Sequence, residues 1–194
     1  MLSWIVVLGA YLLGSVSSAI LVARAMGLPD PRTQGSKNPG ATNMLRIGGK
    51  KAAAITLLGD ALKGLVPMLA AHALGMSPQV LALTGLAAFL GHLYPLFFGF
   101  QGGKGVATAL GVQFGLHWLI GLSVALIWFL VARVGRISSL AALVSMSLAP
   151  FVVWAVWPAR ELVAMQVAIT LLLFWRHRSN IRNLLEGKEG KIKA

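Results

Sequence analysis

The chain has 194 residues, 17 Lys+Arg against 5 Asp+Glu for a formal net charge of +12, and 57% hydrophobic residues besides 22 glycines. Only 11% is charged, against roughly 25% in an ordinary soluble domain, and a mean hydropathy of +0.79 leaves too little polar material to cover a soluble globule. These values exclude a cytosolic enzyme and a disordered tail, and the absence of cysteine excludes disulfides, thiolate metal sites and a cysteine nucleophile.

A hydrocarbon core about 30 Å thick takes about 20 apolar residues of helix. Segments of that kind run Leu2 to Ala23, Ala52 to Gly75, Pro78 to Phe98, a short Val106 to Leu116, Trp118 to Val134, Ser138 to Trp157, and Glu161 to Trp175. The expectation is an all-α integral membrane protein with seven transmembrane helices, the N-terminus outside and the C-terminus cytoplasmic. The first segment is not read as a signal peptide, because nothing basic precedes Leu2 and Arg24 follows it. With this orientation the cytoplasmic segments carry fifteen of the seventeen basic residues, Lys193 included, and leave only Arg160 in an external turn and Lys63 within a span. Residues 1–194 then form a single polytopic domain with cytoplasmic loops 24–51, 99–105 and 135–137 and a tail 176–194. The basic residues lie between apolar spans and not beside base-reading groups, so no nucleic acid is expected as a partner.

Within the spans, Ala107, Gly111 and Gly115 recur at four-residue spacing and read as a surface for close helix approach. Asp60 and Lys63, three apart, share a face of the second span, where either charge alone would be costly; a structural ion pair is the favoured reading. No internal repeat relates the two halves, which counts against transporters built from inverted repeats.

Three cytoplasmic segments concentrate polar groups. In the first, Gly35 to Arg46, the turn formers precede a stretch able to lie at the interface as a helix, and Ser36, Asn38, Asn43 and Arg46 supply donors suited to a phosphate. In the second, Gly102-Gly103-Lys104-Gly105 precedes a helix starting near Val106, so backbone N–H groups, a point charge and a helix N-terminus converge. It is not a Walker loop, since Lys104 is followed by Gly105. The third follows the last span, where His177 and Asn180 fall on one helix face. The four histidines have no metal-ligand spacing, and His92, beside Tyr94-Pro95, reads as a helix-end residue. A Gly-x-Ser-x-Gly elbow, a His-Glu-x-x-His motif, a two-metal acidic cluster and a His-x-x-x-x-Asp acyltransferase signature are all absent.

Taken in order, these segments resemble the bacterial membrane acyl-phosphate:glycerol 3-phosphate acyltransferase family, PlsY. The likeness spans nearly the whole chain: Gly14 to Ser18, Gly35-Ser36 through Asn43 and Arg46, Asp60 with Lys63-Gly64, Gly91-His92, Pro95 to Phe100, Gly102 to Thr108, Ser138 to Leu140, and His177 with Asn180-Ile181. Two positions depart from the family pattern: Lys37 stands where glycine is more frequent, and Gln101 where lysine often stands. The resemblance implies transfer of an acyl chain from acyl phosphate to the 1-hydroxyl of glycerol 3-phosphate, giving lysophosphatidic acid and phosphate, in a bacterial inner membrane with the active site facing the cytoplasm. It implies catalytic roles for His177, Asn180, Lys104, Ser36 and Arg46. Gly102, Gly103, Gly105, Asn38, Asn43 and Ser139 would bind substrate, and no metal or cofactor is called for. The partners implied are glycerol 3-phosphate, a long-chain acyl phosphate and the lipid bilayer, with the soluble enzyme that makes acyl phosphate as a further candidate. The alternatives are an anion transporter or channel with a basic vestibule, and a non-catalytic membrane scaffold.

Overall fold

The computed structural model describes residues 1–192, so Lys193 lies outside the described residues. Among these, α-helices run α1 Leu2–Gly14, α2 Ser18–Ala25, α3 Ala41–Ala73, α4 Pro78–Leu93, α5 Val106–Leu116, α6 Trp118–Gly135, α7 Ser138–Val156, α8 Arg160–Arg176 and α9 Arg178–Leu185, with a 3-10 turn at Leu96–Phe98. The protein is all-helical. Large apolar side chains, among them Trp4, Ile5, Leu57, Leu58, Leu126, Phe129 and Phe151, face outward on α1, α3, α6 and α7. Such a surface fits lipid, where helices satisfy their own backbone groups and need no polar cover.

Among the described residues, four helices are long and apolar enough to cross a bilayer: α3, α4 with its following 3-10 turn, α6 and α7; the pair α1 and α2 makes a fifth if it counts as one span. The first expected span is therefore not one continuous helix. It breaks at Ser15–Ser17 and bends by 42°, with the Ser15 hydroxyl donating to the Tyr11 carbonyl at 2.9 Å, a local bond that competes with regular helix. α5 has 11 residues, a rise of about 16 Å, roughly half the hydrocarbon thickness.

α3 combines two expected pieces. Gly49 adopts φ 76°, ψ −171° and interrupts the helix, so residues 41–48 form a separate helix of about two turns ahead of the long apolar helix. Glycine is needed for that positive φ.

Close approach between helices depends on small residues. A Cβ at Gly14 would lie 2.3 Å from the Ala88 carbonyl oxygen, and one at Gly91 2.4 Å from that of Tyr11, so α1 and α4 touch backbone to backbone. α3 and α5 make the most extensive helix pair. There, a Cβ at Gly111 would meet the Ala61 carbonyl at 2.0 Å, and one at Gly115 the Met68 Cβ at 2.5 Å. The main core, with Phe89, Leu81, Val112, Ile120, Met146 and Ile169, sits between α4, α5, α6, α7 and α8. Its effect is to hold the polar loops together at one end of the bundle.

Candidate active site

The three polar segments meet at that end. Arg176, the last residue of α8, donates from Nη2 to the Gly102 carbonyl at 2.7 Å and from Nε to the Gly103 carbonyl at 3.1 Å. This turns the loop carbonyls toward the cation. The Gly103 N–H is committed to the His92 carbonyl at 3.2 Å, so not every glycine N–H of the loop is open to an anion. Among the described residues, the N–H groups of Gly102, Lys104 and Gly105 have no protein acceptor, and they adjoin the N-terminus of α5. Gly105 caps that helix at φ 87°, in the left-handed region where a side chain is strained.

Lys104 donates from Nζ to Asn180 Oδ1. The Asn180 amide nitrogen donates to Glu189 Oε1 at 2.6 Å, and the Ser139 hydroxyl donates to the same oxygen at 2.7 Å. Asn183 donates to Glu189 Oε2 at 3.2 Å. A chain of contacts thus runs Ser139, Glu189, Asn180, Lys104, with both ends of the Asn180 amide fixed. Burial pushes the Lys104 ammonium below its ordinary range; the Glu189 carboxylate works against this, while Arg176 and Arg46 add to it. Burial would raise Glu189, but the bonds from Ser139, Asn180 and Asn183 and the charge of Lys104 outweigh it and hold the carboxyl below the usual range.

His177 is 3% exposed. Its Nδ1 lies 2.8 Å from the Leu173 carbonyl, which can only accept, so Nδ1 carries the proton and Nε2 presents a lone pair. Burial lowers its pKa to about 4; the Leu173 carbonyl opposes the shift, Lys104 and Arg176 reinforce it, and Glu189 opposes it. The ring is neutral at pH 7.

In the first loop, Asn43 is fully buried and its amide is spent on the loop itself. Oδ1 accepts from the Ser36 N–H at 2.9 Å, and Nδ2 donates to the carbonyls of Pro31 and Gln34 at 2.9 and 3.0 Å. Asn43 therefore shapes the loop that presents Ser36, whose hydroxyl has no protein partner among the described residues. Asn38 is half-buried, and Ser36 and Arg46 are exposed. Gly190 of the tail passes close to Arg46, so that a Cβ there would lie 3.6 Å from its guanidinium. Arg32 reaches the Phe98 carbonyl at 3.2 Å, joining the first loop to the second. Thr42 lies 3.4 Å from Ser138, hydroxyl to hydroxyl. Of the adjacent pair, Ser139 faces Glu189 and Ser138 faces Thr42.

Sequence reasoning gave no role to Glu189, Asn183 or Arg176. Their signal was weak: an acidic residue in a basic tail and one more arginine among many. Glu189 and Asn183 take part because the tail folds back, with the Ile192 N–H donating to the Arg136 carbonyl at 2.6 Å, whereas Arg176 reaches the glycine loop from the end of α8.

The Glycerol-3-phosphate acyltransferase family model matches residues 4–187. A glycerol-3-phosphate acyltransferase of Thioalkalivibrio sulfidiphilus is 60% identical over 186 residues, 96% of this chain and 92% of that protein. One of Methylococcus capsulatus is 56% identical over 191 residues, covering 98% of this chain and 96% of its own. Among solved structures, PlsY (YgiH), an integral membrane glycerol 3-phosphate acyltransferase, superimposes in its glycerol 3-phosphate form with a TM-score of 0.95 at 40% identity, over 100% of this chain and 96% of that one. Its lysophosphatidic acid form gives 0.91 at 39%, over 98% and 95%. The chain belongs to the glycerol-3-phosphate acyltransferase family, with the all-helical membrane architecture of PlsY.

Proposed function

We propose that the protein transfers a fatty acyl chain from acyl phosphate to the 1-hydroxyl of glycerol 3-phosphate, releasing lysophosphatidic acid and inorganic phosphate. The observation that carries this reading is the convergence of Lys104, Arg176, the open N–H groups of the glycine loop and the neutral His177 at one end of the bundle. Two anionic substrates need such a site, with cations and backbone donors to hold phosphates and a neutral acceptor for a hydroxyl.

The reaction forms one C–O bond and breaks another. The 1-hydroxyl oxygen attacks the acyl carbonyl carbon, and the acyl–phosphate C–O bond breaks. Phosphate is a good leaving group, and its own oxygen takes the hydroxyl proton. In this substrate-assisted route His177 Nε2 accepts a hydrogen bond from the 2-hydroxyl of glycerol 3-phosphate and so aims the neighbouring 1-hydroxyl, whose own proton goes to the phosphate oxygen, while Asn180 keeps Lys104 on the anion side. Lys104 and the N–H groups of Lys104 and Gly105 bind phosphate; Ser36, Asn38, Arg46 and Ser139 line the remaining contacts. The main contribution of the protein is positioning and charge stabilisation.

Seven membrane crossings, with α5 and α8 as the two shorter ones, would put all these loops on the cytoplasmic side of a bacterial inner membrane. A soluble enzyme that makes acyl phosphate would then deliver the donor to the same face. The test of the substrate-assisted route is His177→Ala: a loss of kcat that added imidazole does not restore supports it. Rescue by imidazole with unchanged substrate affinity makes His177 the base and overturns it.

A further inference from the structure

Beneath the glycine loop lies a buried polar unit that the proposed reaction does not use. Asp60 and Lys63 of α3 pair at 3.0 Å, both side chains about 5% exposed or less. Lys63 also donates from Nζ to the Val16 carbonyl at 2.9 Å, satisfying a backbone group orphaned where α1 and α2 separate. His92 Nδ1 stands 3.6 Å from Asp60 Oδ1 and 3.1 Å from the Thr108 hydroxyl. That hydroxyl has one proton and donates it to the Asp60 main-chain carbonyl at 2.8 Å. Its oxygen is therefore an acceptor for His92, which fixes the proton on Nδ1 and leaves Nε2 facing away from the carboxylate.

The other side of the ring meets the loop. A Cβ at Gly103 would lie 2.3 Å from His92 Nε2 and 2.9 Å from the Pro39 carbonyl oxygen, so the first loop, the second loop and the ring crowd at one point. A Cβ at Gly102 would lie 2.0 Å from the His92 carbonyl oxygen, the same oxygen that accepts the Gly103 N–H. Thr108 sits in the first turn of α5, the helix whose N-terminus faces the site. Ring, hydroxyl and carboxylate together tie α3, α4 and α5 to the loop.

We propose that His92 is a positioning residue for the glycine loop: its ring, fixed by Thr108 and the Asp60–Lys63 pair, is the seat that holds Gly102 and Gly103 in the curvature that receives a substrate phosphate. The inference rests on the proposed reaction for its kinetic readout and is also read by binding. Glycerol 3-phosphate affinity is measured by calorimetry, and KM and kcat by product formation, for the wild type, His92→Gln, His92→Asn and Thr108→Val. The Asn amide nitrogen takes the place of Nδ1 and keeps the bond to Thr108 but leaves the Nε2 edge under Gly103 empty; the Gln amide reaches the place of Nε2 but loses the bond to Thr108. The seat predicts that His92→Gln, His92→Asn and Thr108→Val each raise KM and Kd for glycerol 3-phosphate about tenfold with kcat within threefold.

Unchanged KM and Kd in any of the three variants overturns it, as does a fall in kcat alone. Loss of folded protein in all three variants also overturns it, making the unit a simple structural tie. If the wild type binds glycerol 3-phosphate but forms no product, the proposed reaction fails while the Kd comparison still decides this point. Absence of both binding and product in the wild type overturns both.

Discussion

His177 has a conformation that ties stability to pH. Its pKa is lowered from 6.5 in an unfolded chain to about 4 in the fold, so between those values the unfolded state binds more protons. Stability then rises with pH across this window, by at most about 1.4 kcal/mol per pH unit for a single group, and is lost again as pH falls from 6.5 toward 4. His177→Gln, which carries no titrating ring, should flatten the thermal-stability profile between pH 4 and 6.5 in detergent. An unchanged slope would mean that the ring is not buried neutral. Lys37 is a second residue under backbone constraint, with φ 55° on an exposed loop. A non-glycine residue there costs roughly 1–2 kcal/mol, partly offset by the extra freedom that glycine has when unfolded. Lys37→Gly is expected to leave the melting temperature level or raise it by a few degrees; a clear drop would show that the lysine side chain makes a compensating contact.

At the scale of elements, the contact between α3 and α5 is the one least able to absorb a side chain. Gly111 has the Ala61 carbonyl at 2.0 Å from where its Cβ would stand, and backbone cannot step aside as a flexible side chain can. Gly111→Val should force α5 off α3, costing several kcal/mol and displacing the glycine loop that precedes it; little or no folded protein is expected by size-exclusion chromatography. Normal folding would contradict the packing described. The tail is the other vulnerable element. Glu189 takes bonds from Ser139, Asn180 and Asn183, and removing its carboxylate leaves the Asn180 amide free to turn away from Lys104. Glu189→Ala should lower kcat/KM at least tenfold, and Glu189→Gln, which preserves one acceptor oxygen, should lower it less. Equal activity in both variants and the wild type would remove Glu189 from the positioning chain.

For the molecule as a whole, the legible part of the sequence was what depends on local pattern. Apolar runs located α3, α4, α6 and α7, and four-residue spacing of small residues marked Gly111 and Gly115 as a surface for close helix approach, without saying that α3 is the helix it meets. The Gly-Gly-Lys-Gly run marked the loop that leads into α5, where Lys104 meets Asn180. What remained hidden depends on long-range geometry. The break at Ser15–Ser17 is stabilised by Lys63, 47 residues away, and His92 reads as an ordinary helix-end residue until Thr108 and Asp60 are seen beside it. Backbone commitments were hidden as well: a glycine pattern does not reveal that the Gly103 N–H is already spent on His92. The crossing number is a property of the whole molecule and has a direct check, because the chain contains no cysteine. Single cysteines at Lys37 and at Arg160 should be labelled from opposite sides of the membrane by an impermeant maleimide; labelling from the same side would contradict an odd number of crossings between them and the inside location of the site.

In the proposed reaction two anions are held together at the Lys104 end of the bundle, and the acyl donor is one of them. The measurement that tests it most directly is product formation by the purified protein from glycerol 3-phosphate and palmitoyl phosphate, without metal and with palmitoyl-CoA in parallel. The account predicts lysophosphatidic acid from the phosphate donor only, abolished in Lys104→Ala while that variant remains folded. Product from palmitoyl-CoA alone would contradict the donor, and full activity in Lys104→Ala would contradict the site.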